Sequence, residues 1–357
     1  MADATVIGWD VGGAHLKAAR LEADGTLSRV VQIPCPLWEG TDRLESALDQ
    51  AEQRIGPAPA HAVTMTGEMA DLFAGRAEGV VRIAGVLCAR LSGRLAFYAG
   101  AMGFADPPLE ARRGPSIASI ASANWHATAS LVAGRLPAAL LVDIGSTTTD
   151  IAAVAGGEPR TLGTNDAQRL AEEELVYTGV VRTPVMALAS RAPFAGAWTG
   201  LMAEHFATAA DLHRLTGELP GEADQHPAAD GGPKTQEASA RRLARMIGRD
   251  LEDAGMDDWR RLARWLADAQ LGRIEAACAR VLSRGLLAPA APVVGAGVGR
   301  FLAARLARRL ERPYVDFSSL VPAGPATADW AATCAPAAAV AWLLRRRLAE
   351  GGNHVGR

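Results

Sequence analysis

One short phrase occurs twice in the chain, and it limits the fold more than any other feature. Ile7-Gly8-Trp9-Asp10-Val11-Gly12-Gly13 aligns with Leu140-Leu141-Val142-Asp143-Ile144-Gly145-Ser146. Each copy is an apolar run, an aspartate, a β-branched residue and a glycine turn, followed by a second apolar run. In this alignment Lys17 falls opposite Asp150. A repeat at domain scale implies two lobes built on one plan, and 357 residues are enough for two separate cores.

Around the first copy, residues 5–9, 16–21 and 27–33 are short apolar runs separated by Gly-Gly and Asp-Gly turns, which predicts a three-stranded meander. Helices are expected over 42–54 and 79–91, and strands over 62–66 and 95–98. Residues 117–133 read as one long small-residue helix carrying Asn124, Trp125 and His126. From Pro137 the strand–turn–strand pattern restarts. The stretch 216–235 is dense in Gly, Pro, Asp and Glu and reads as a surface loop or mobile flap. An amphipathic helical pair fills 237–286, followed by a strand at 292–295, a helix over 300–310, a strand at 314–317 and a terminal helix from Pro336. Lobe one is therefore expected over 1–136, with the final helix, 336–357, returning to it. Lobe two is expected over 137–335, with the flap at 216–235.

Composition excludes several classes. Hydrophobic residues make up 49% and charged residues 21%, which describes a globular chain. A formal net charge of −2 leaves no basic field for nucleic acid. The arginines from 300 to 312 lie on an amphipathic segment and read as a solvated face. Cys35, Cys88, Cys278 and Cys334 are far apart and form no CxxC or Cys/His cluster, as expected of free thiols in a reducing cytoplasm. No apolar run reaches the roughly 20 residues needed to span a bilayer, and Met1-Ala2-Asp3-Ala4 shows no signal-peptide pattern. A cytoplasmic location with no membrane or nucleic-acid partner is expected. Lysine occurs only at Lys17 and Lys234 amid abundant arginine, which singles out Lys17 as a compact charge for phosphate.

A glycine turn between two strands lets backbone N–H groups approach a phosphate closely. In the first hairpin the candidate phosphate ligands are Gly12, Gly13, His15 and Lys17, with Asp10 positioned to orient metal-bound water. In the second they are Gly145, Ser146, Thr147 and Thr148, with Asp143 to orient a metal and Asp150 as a second carboxylate for metal or base work. Taken singly, each copy also fits an ordinary hairpin, and a threonine run is what β-propensity produces. A third candidate is Val293-Val294-Gly295-Ala296-Gly297-Val298-Gly299, which enters a helix and offers amides and a helix dipole to an anion at Gly295 and Gly297. Asp316 lies where a dinucleotide fingerprint has its ribose-binding acid, but Arg300 replaces the last small residue and the motif comes late, so that reading fails. His205 and His213 are two helical turns apart, too far to share an ion, and Glu204 and Asp211 read as solvated or capping residues.

The order of hairpin, hairpin, Gly-rich turn with helix, and Ala-rich terminal helix resembles the actin, sugar-kinase and heat-shock ATPase superfamily over most of the chain. The fold it implies is α/β: a two-lobed actin-like ATPase (ribonuclease H-like) fold with duplicated phosphate-binding hairpins that face each other. Val142-Asp143-Ile144-Gly145-Ser146-Thr147-Thr148-Thr149-Asp150-Ile151 resembles the hydantoinase/oxoprolinase branch. Four further phrases narrow the resemblance. They are Thr64-Met65-Thr66-Gly67-Glu68-Met69-Ala70-Asp71, Ala123-Asn124-Trp125-His126-Ala127, Tyr177-Thr178-Gly179-Val180-Val181-Arg182-Thr183-Pro184, and Glu204-His205-Phe206-Ala207-Thr208 with Asp211 and Thr216-Gly217-Glu218-Leu219. Together they are similar to the tetrahydromethanopterin-linked one-carbon transfer family, whose methanogen members are the furan-methanamine synthases of methanofuran biosynthesis.

That resemblance implies a transferase joining an aminomethylfuran-methyl diphosphate to a tyrosine-, tyramine- or glutamyltyramine-type phenol, with release of diphosphate. The substrate's own diphosphate would occupy the phosphate cleft with Mg²⁺, and no organic cofactor would be needed. Lys17 and the turn hydroxyls would hold the oxygens. A base for the phenol would be His126 first, then Glu68 or His15, although His126 also reads as a packed interface histidine. The Ala- and Arg-rich usage suits a methylotrophic bacterium, hence a methylofuran-type product. Partners would be small-molecule substrates, and a homo-oligomer is compatible. Two other classes share the fold. An ATP-dependent small-molecule kinase would use the turn at 295–299 for adenosine, and a non-catalytic nucleotide-dependent activator or scaffold would use the flap.

Overall fold

A computed structural model describes residues 4–109 and 115–352, so Met1, Ala2, Asp3 and residues 353–357 of the expected terminal helix lie outside it. The chain forms two compact units. Met1–Leu141, Ala152–Ala171 and Val315–Arg357 make the first, and Val142–Ile151 with Glu172–Tyr314 the second.

The elements run β1 (Val6–Val11), β2 (His15–Leu21), β3 (Leu27–Pro34), α1 (Asp42–Ile55), β4 (Ala60–Met65), α2 (Arg76–Arg90), β5 (Arg94–Tyr98), β6 (Phe104–Ala105), α3 (Pro115–Ile120) and α4 (Asn124–Ala133). Next come β7 (Ala138–Ile144), β8 (Thr149–Ala155), β9 (Glu158–Pro159), α5 (Asp166–Ala171), β10 (Leu175–Val176), β11 (Arg191–Phe194), β12 (Ala197–Gly200) and α6 (Ala209–Thr216). The rest are α7 (Gln236–Met246), α8 (Met256–Leu282), β13 (Val293–Ala296), α9 (Arg300–Arg309), β14 (Tyr314–Asp316), α10 (Pro325–Thr333) and α11 (Ala335–Gly352).

The first sheet has the order β3-β2-β1-β4-β5-β6. Strand β1 pairs antiparallel with β2 and parallel with β4, so Trp9 meets Ala18 and Val63 while Asp10 meets Lys17 and Thr64. Side chains alternate across a strand, and this register therefore sorts two faces. Ile7, Trp9 and Val11 join a core with Leu44 and Leu48 of α1 and Val80, Ile83 and Leu87 of α2. The buried residues of α1 fall at 44, 47, 48, 51 and 55, a helical stripe aimed at that core. The opposite face carries a polar row across four strands, Gln32, Lys17, Asp10 and Thr64.

Helix α11 covers the polar face further along β1. A Cβ on Gly8 would run into the Ala337 carbonyl and the Ala341 side chain, so only glycine lets helix and strand meet. Trp342 packs on Gly134, the residue that ends α4, and Arg345 donates to the Ala23 carbonyl at 2.6 Å.

The second sheet has the order β10-β8-β7-β13-β14, with β9 on β8. It repeats the plan of the first. An aspartate-bearing strand has its hairpin partner on one side and a strand from later in the chain on the other. The core of the second unit brings Val185, Phe194 and Leu212 together with Leu243, Trp259 and Leu262.

Three features differ from expectation. The helix read over 117–133 is broken into α3 and α4, because Ser122 takes a left-handed φ of 51°. Small residues at 117–133 carry no breaker, so the break follows from tertiary contacts described below. The stretch 216–235 is irregular, as expected, but charge ties it down. Lys234 Nζ donates to the Asp224 carbonyl at 2.8 Å, Arg214 pairs with Asp224, and Arg242 pairs with Asp230 at 3.0 Å. Third, β11 and β12 form a hairpin with Ala195 and Gly196 at φ 49° and 80°, a turn lacking the usual Asn-Gly signal. Asp211 does cap α6, in a capping box with Thr208. No helix among the described residues is long and apolar enough to cross a membrane.

Replacing Gly8 by Val should separate α11 from β1 and cost about 1–3 kcal/mol or more of stability. An unchanged urea midpoint would show that this approach is not tight.

Candidate functional site

The two hairpins close in the same way. The Gly12 N–H donates to the His15 carbonyl at 2.9 Å, and the Gly145 N–H donates to the Thr148 carbonyl at 2.8 Å. These glycine amides close their turns, which leaves the donor role to later turn N–H groups and to side chains. A Cβ at Gly13 would meet nothing within 4 Å, so that turn is open on its outer side. Ser146, Thr147 and Thr148 are half-buried, with the Ser146 and Thr147 hydroxyls 3.5 Å apart. His15 is buried at the start of β2.

In the first unit Asp10 is 3% exposed and Lys17 Nζ lies 3.6 Å from its Oδ2. The pairing follows from the register that sets them opposite each other. A buried carboxylate needs such a partner, and a lysine with three donors can still present an N–H elsewhere.

Glu68 follows β4 in Thr66-Gly67-Glu68, where a Cβ on Gly67 would lie 3.2 Å from the Val11 and Gly12 carbonyls. It is 1% exposed. Ser122 Oγ lies 2.8 Å from Glu68 Oε1 and 3.1 Å from Asp166 Oδ2, and Arg76 pairs with that same Asp166 oxygen at 2.8 Å. Burial pushes the Glu68 carboxyl up to about 7, against the lowering effect of the Ser122 hydroxyl. Glu68 Oε2 has no hydrogen-bond partner among the described residues.

His126 stands on α4 with Nδ1 2.8 Å from the Tyr98 hydroxyl and 3.2 Å from Ser130 Oγ. Burial and the charge of Arg169 hold it down at about 4, so the imidazole is neutral. Arg169 itself lies 4.0 Å over the Trp125 ring. Burial pushes the Tyr98 phenol up to about 12.

In the second unit the hairpin turn rests on the segment after β10. Val180 N–H donates to the Gly145 carbonyl, and the Val181 and Arg182 N–H groups to the Ser146 carbonyl, at 2.9–3.1 Å. Any side chain on Gly179 would run into the Ser146–Thr147 peptide. Gln270, from the middle of α8, donates at 2.8 Å to both Thr178 Oγ1 and the Gly179 carbonyl, and its Oε1 lies 2.8 Å from His213 Nε2. Gln270, His213 and Thr178 are all fully buried. Asp143 is 7% exposed. Gly297, at φ 80°, is pressed so closely on Ile144 O and Asp143 Oδ1 that no Cβ fits there. Gly295 lies instead against the Tyr314 ring. Asp150 is half-buried on β8, in register with Leu175 of β10. Among the described residues no group of three or more His, Cys, Asp or Glu side chains could hold a metal ion.

Residues 60–334 match the family model of hydantoinase/oxoprolinase. The chain belongs to that family. It is 32% identical over 248 residues to the (4-{4-[2-(gamma-L-glutamylamino)ethyl]phenoxymethyl}furan-2-yl)methanamine synthase of Methanocaldococcus jannaschii, covering 69% of this chain and 72% of the relative. The synthase of the same name from Methanococcus vannielii is 31% identical over 119 residues, 33% of this chain and 53% of the relative. Among solved structures, nucleotide-free acetone carboxylase, from work on ATP-dependent acetone carboxylation, superposes with a TM-score of 0.55 at 10% identity. The match covers 94% of this chain and 70% of that one, and it speaks for the actin-like ATPase fold alone.

In this hydantoinase/oxoprolinase-family chain several site residues escaped the sequence reading. Thr178 and Gly179 lie in the Tyr177–Pro184 phrase, where nothing local marks their contact with Gln270. Ser122, Asp166, Arg76 and Gln270 carried no local signal.

Gln270→Leu should leave Thr178 Oγ1, the Gly179 carbonyl and His213 Nε2 without their buried partner, at about 3 kcal/mol or more. A urea midpoint equal to wild type would refute this role. Glu68 gives a pH signature. Its native carboxyl keeps its proton up to about pH 7, whereas the unfolded group titrates near the ordinary 4.5. Between those values the native state holds the extra proton, so stability is full below the ordinary value and falls as pH rises through the native one. The wild-type urea midpoint should therefore drop from pH 5 to pH 8 more than that of Glu68→Gln. Identical pH dependences would contradict the assignment.

Proposed function

We propose that this protein is a transferase of methanofuran-type cofactor synthesis, joining an aminomethylfuran-methyl diphosphate to a tyrosine- or tyramine-type phenol. The observation that carries this reading is the 32% identity over 69% of the chain to a synthase named for that phenoxymethyl-furan product. The phenol oxygen forms a bond to the furan-methyl carbon as the bond from that carbon to the diphosphate oxygen breaks. The phenolic proton goes to a base on the protein. The diphosphate leaves with both bonding electrons, so the catalytic task is to stabilise departing negative charge.

The hairpins are chemically suited to that task. Lys17, aligned by Asp10, supplies a point charge, and Ser146, Thr147 and Thr148 supply neutral donors. Gly13 leaves room for the oxygens. Mg²⁺ binds through one or two carboxylates while phosphates and water complete its shell, and this reading assigns it to the hairpin carboxylates, each taken within its own unit: Asp10 in the first, Asp143 and Asp150 in the second. When bound it would neutralise the diphosphate.

Glu68 is the base this reading favours over His126. A phenol has a reference pKa of about 10. Transfer to His126, held at about 4, is uphill by roughly six units, and transfer to Glu68, at about 7, by roughly three.

The deciding assay offers Mg²⁺ and the furan-methyl diphosphate with tyrosine, tyramine or glutamyltyramine, and in a parallel arm ATP. Phenol-dependent release of diphosphate is expected. ATP turnover giving a phosphorylated product would replace this reading with a kinase. Asp143→Asn should abolish release with an unchanged circular dichroism spectrum, and wild-type turnover in that variant would defeat the metal role.

A further inference from the structure

Ser122 is an anomaly in its own segment. It sits in left-handed backbone, at φ 51°, where a non-glycine residue is strained. It interrupts what its small neighbours would otherwise make a continuous helix. Its hydroxyl is buried and lies within hydrogen-bond reach of two carboxylates at once, Glu68 Oε1 at 2.8 Å and Asp166 Oδ2 at 3.1 Å. A hydroxyl has one proton to donate, so it can serve only one of them at a time. Arg76, from the first turn of α2, holds Asp166 by the oxygen that Ser122 also reaches. Arg76 and Asp166 are the charged groups acting on Glu68, and Gly79 of α2, whose Cβ would strike the Glu68 backbone, brings no charge.

We infer that Ser122 is a hydroxyl switch between Glu68 and Asp166, and that Ser122, Asp166 and Arg76 are positioning residues that set when Glu68 can accept a proton. The inference rests on the reading of Glu68 as the base. With Glu68 ionised, the Ser122 hydroxyl donates to Oε1 and stabilises the carboxylate. When Oε2 takes a proton from the substrate, the charge at Oε1 is lost and the hydroxyl turns to Asp166, which the Arg76 ion pair holds in position. The strained backbone is what puts the oxygen between the two acids, since in a continuous helix residue 122 would follow the direction of its neighbours.

The three groups act on Glu68 with different signs. Ser122 and Arg76 favour its ionised form, and Asp166 disfavours it. Glycine accepts φ 51° without strain, so Ser122→Gly removes the hydroxyl and keeps the backbone. It should move the Glu68 titration upward by about one pH unit, as expected for loss of a hydrogen bond to a charged group. Arg76→Gln should also move it upward, and Asp166→Asn downward.

The experiment follows the carbonyl stretch of the protonated acid by infrared difference spectroscopy as pH is varied. The wild-type band should titrate near 7 and be absent in Glu68→Gln. Up, up and down for the three variants supports the switch. Shifts in one direction for all three, as general loosening would give, or a band that titrates in the ordinary carboxylate range, would overturn it. The acid limb of phenol-dependent diphosphate release, measured on the same variants, should shift in step. Infrared shifts of the expected signs with no such activity would leave the switch standing and reject the transferase reading. Activity whose acid limb ignores the infrared shifts would reject Glu68 as the group being tuned.

Discussion

Each sheet depends on a close approach between a glycine and the end of its central strand. In the first unit Gly67 lies against the Val11 and Gly12 carbonyls, and the Thr66 N–H donates to Val11 O at 3.0 Å. In the second, Gly297 lies against the Ile144 carbonyl and the Asp143 carboxylate, and the Gly299 N–H donates to Ile144 O at 2.8 Å. The first of these bonds is the parallel-ladder bond that follows the Val11–Met65 pair, so the close approach of the glycine carries the pairing to the very end of the strand, just past its aspartate. A side chain at either glycine would push the two backbones apart and release the hairpin. The aspartate, the turn amides and the hydroxyls behind them all take their positions from that contact.

The equivalence of those two glycines shows what sequence can and cannot carry. The hairpins were legible because strand, aspartate and glycine turn are local physics, whereas the Asp10–Lys17 pair emerges only from the strand register. Thr66-Gly67-Glu68 and Ala296-Gly297-Val298 share little but a glycine. Their likeness is topological, set by both following the strand that lies beside the central one. Gln270 was hidden for another reason: a glutamine inside an amphipathic helix reads as a surface residue until the helix is found buried on that side. The interleaved units were hidden because strand pairing, not chain order, decides which segments belong together.

Burial also explains why two candidate bases differ. Desolvation penalises whichever form is charged, so it raises the carboxyl of Glu68, to about 7, and lowers the imidazole of His126, to about 4. Their neighbours separate them. Arg169 adds a second push in the same direction to His126, while Glu68 has a hydroxyl and a guanidinium that favour its charge beside a carboxylate that does not. Only Glu68 is held by opposing influences near the middle of its range.

The meeting of α11 with Gly8 has a consequence for how the protein is made. Strand β1 is covered by a helix that leaves the ribosome more than 320 residues later, as Gly8 against Ala337 shows. At elongation rates of about 5–20 residues per second, the β1 face waits on the order of tens of seconds for its cover. Its polar row, Gln32, Lys17, Asp10 and Thr64, is a poor surface for another apolar chain to adhere to during that interval. The polar row that α11 leaves uncovered in the finished protein thus also shields the nascent one.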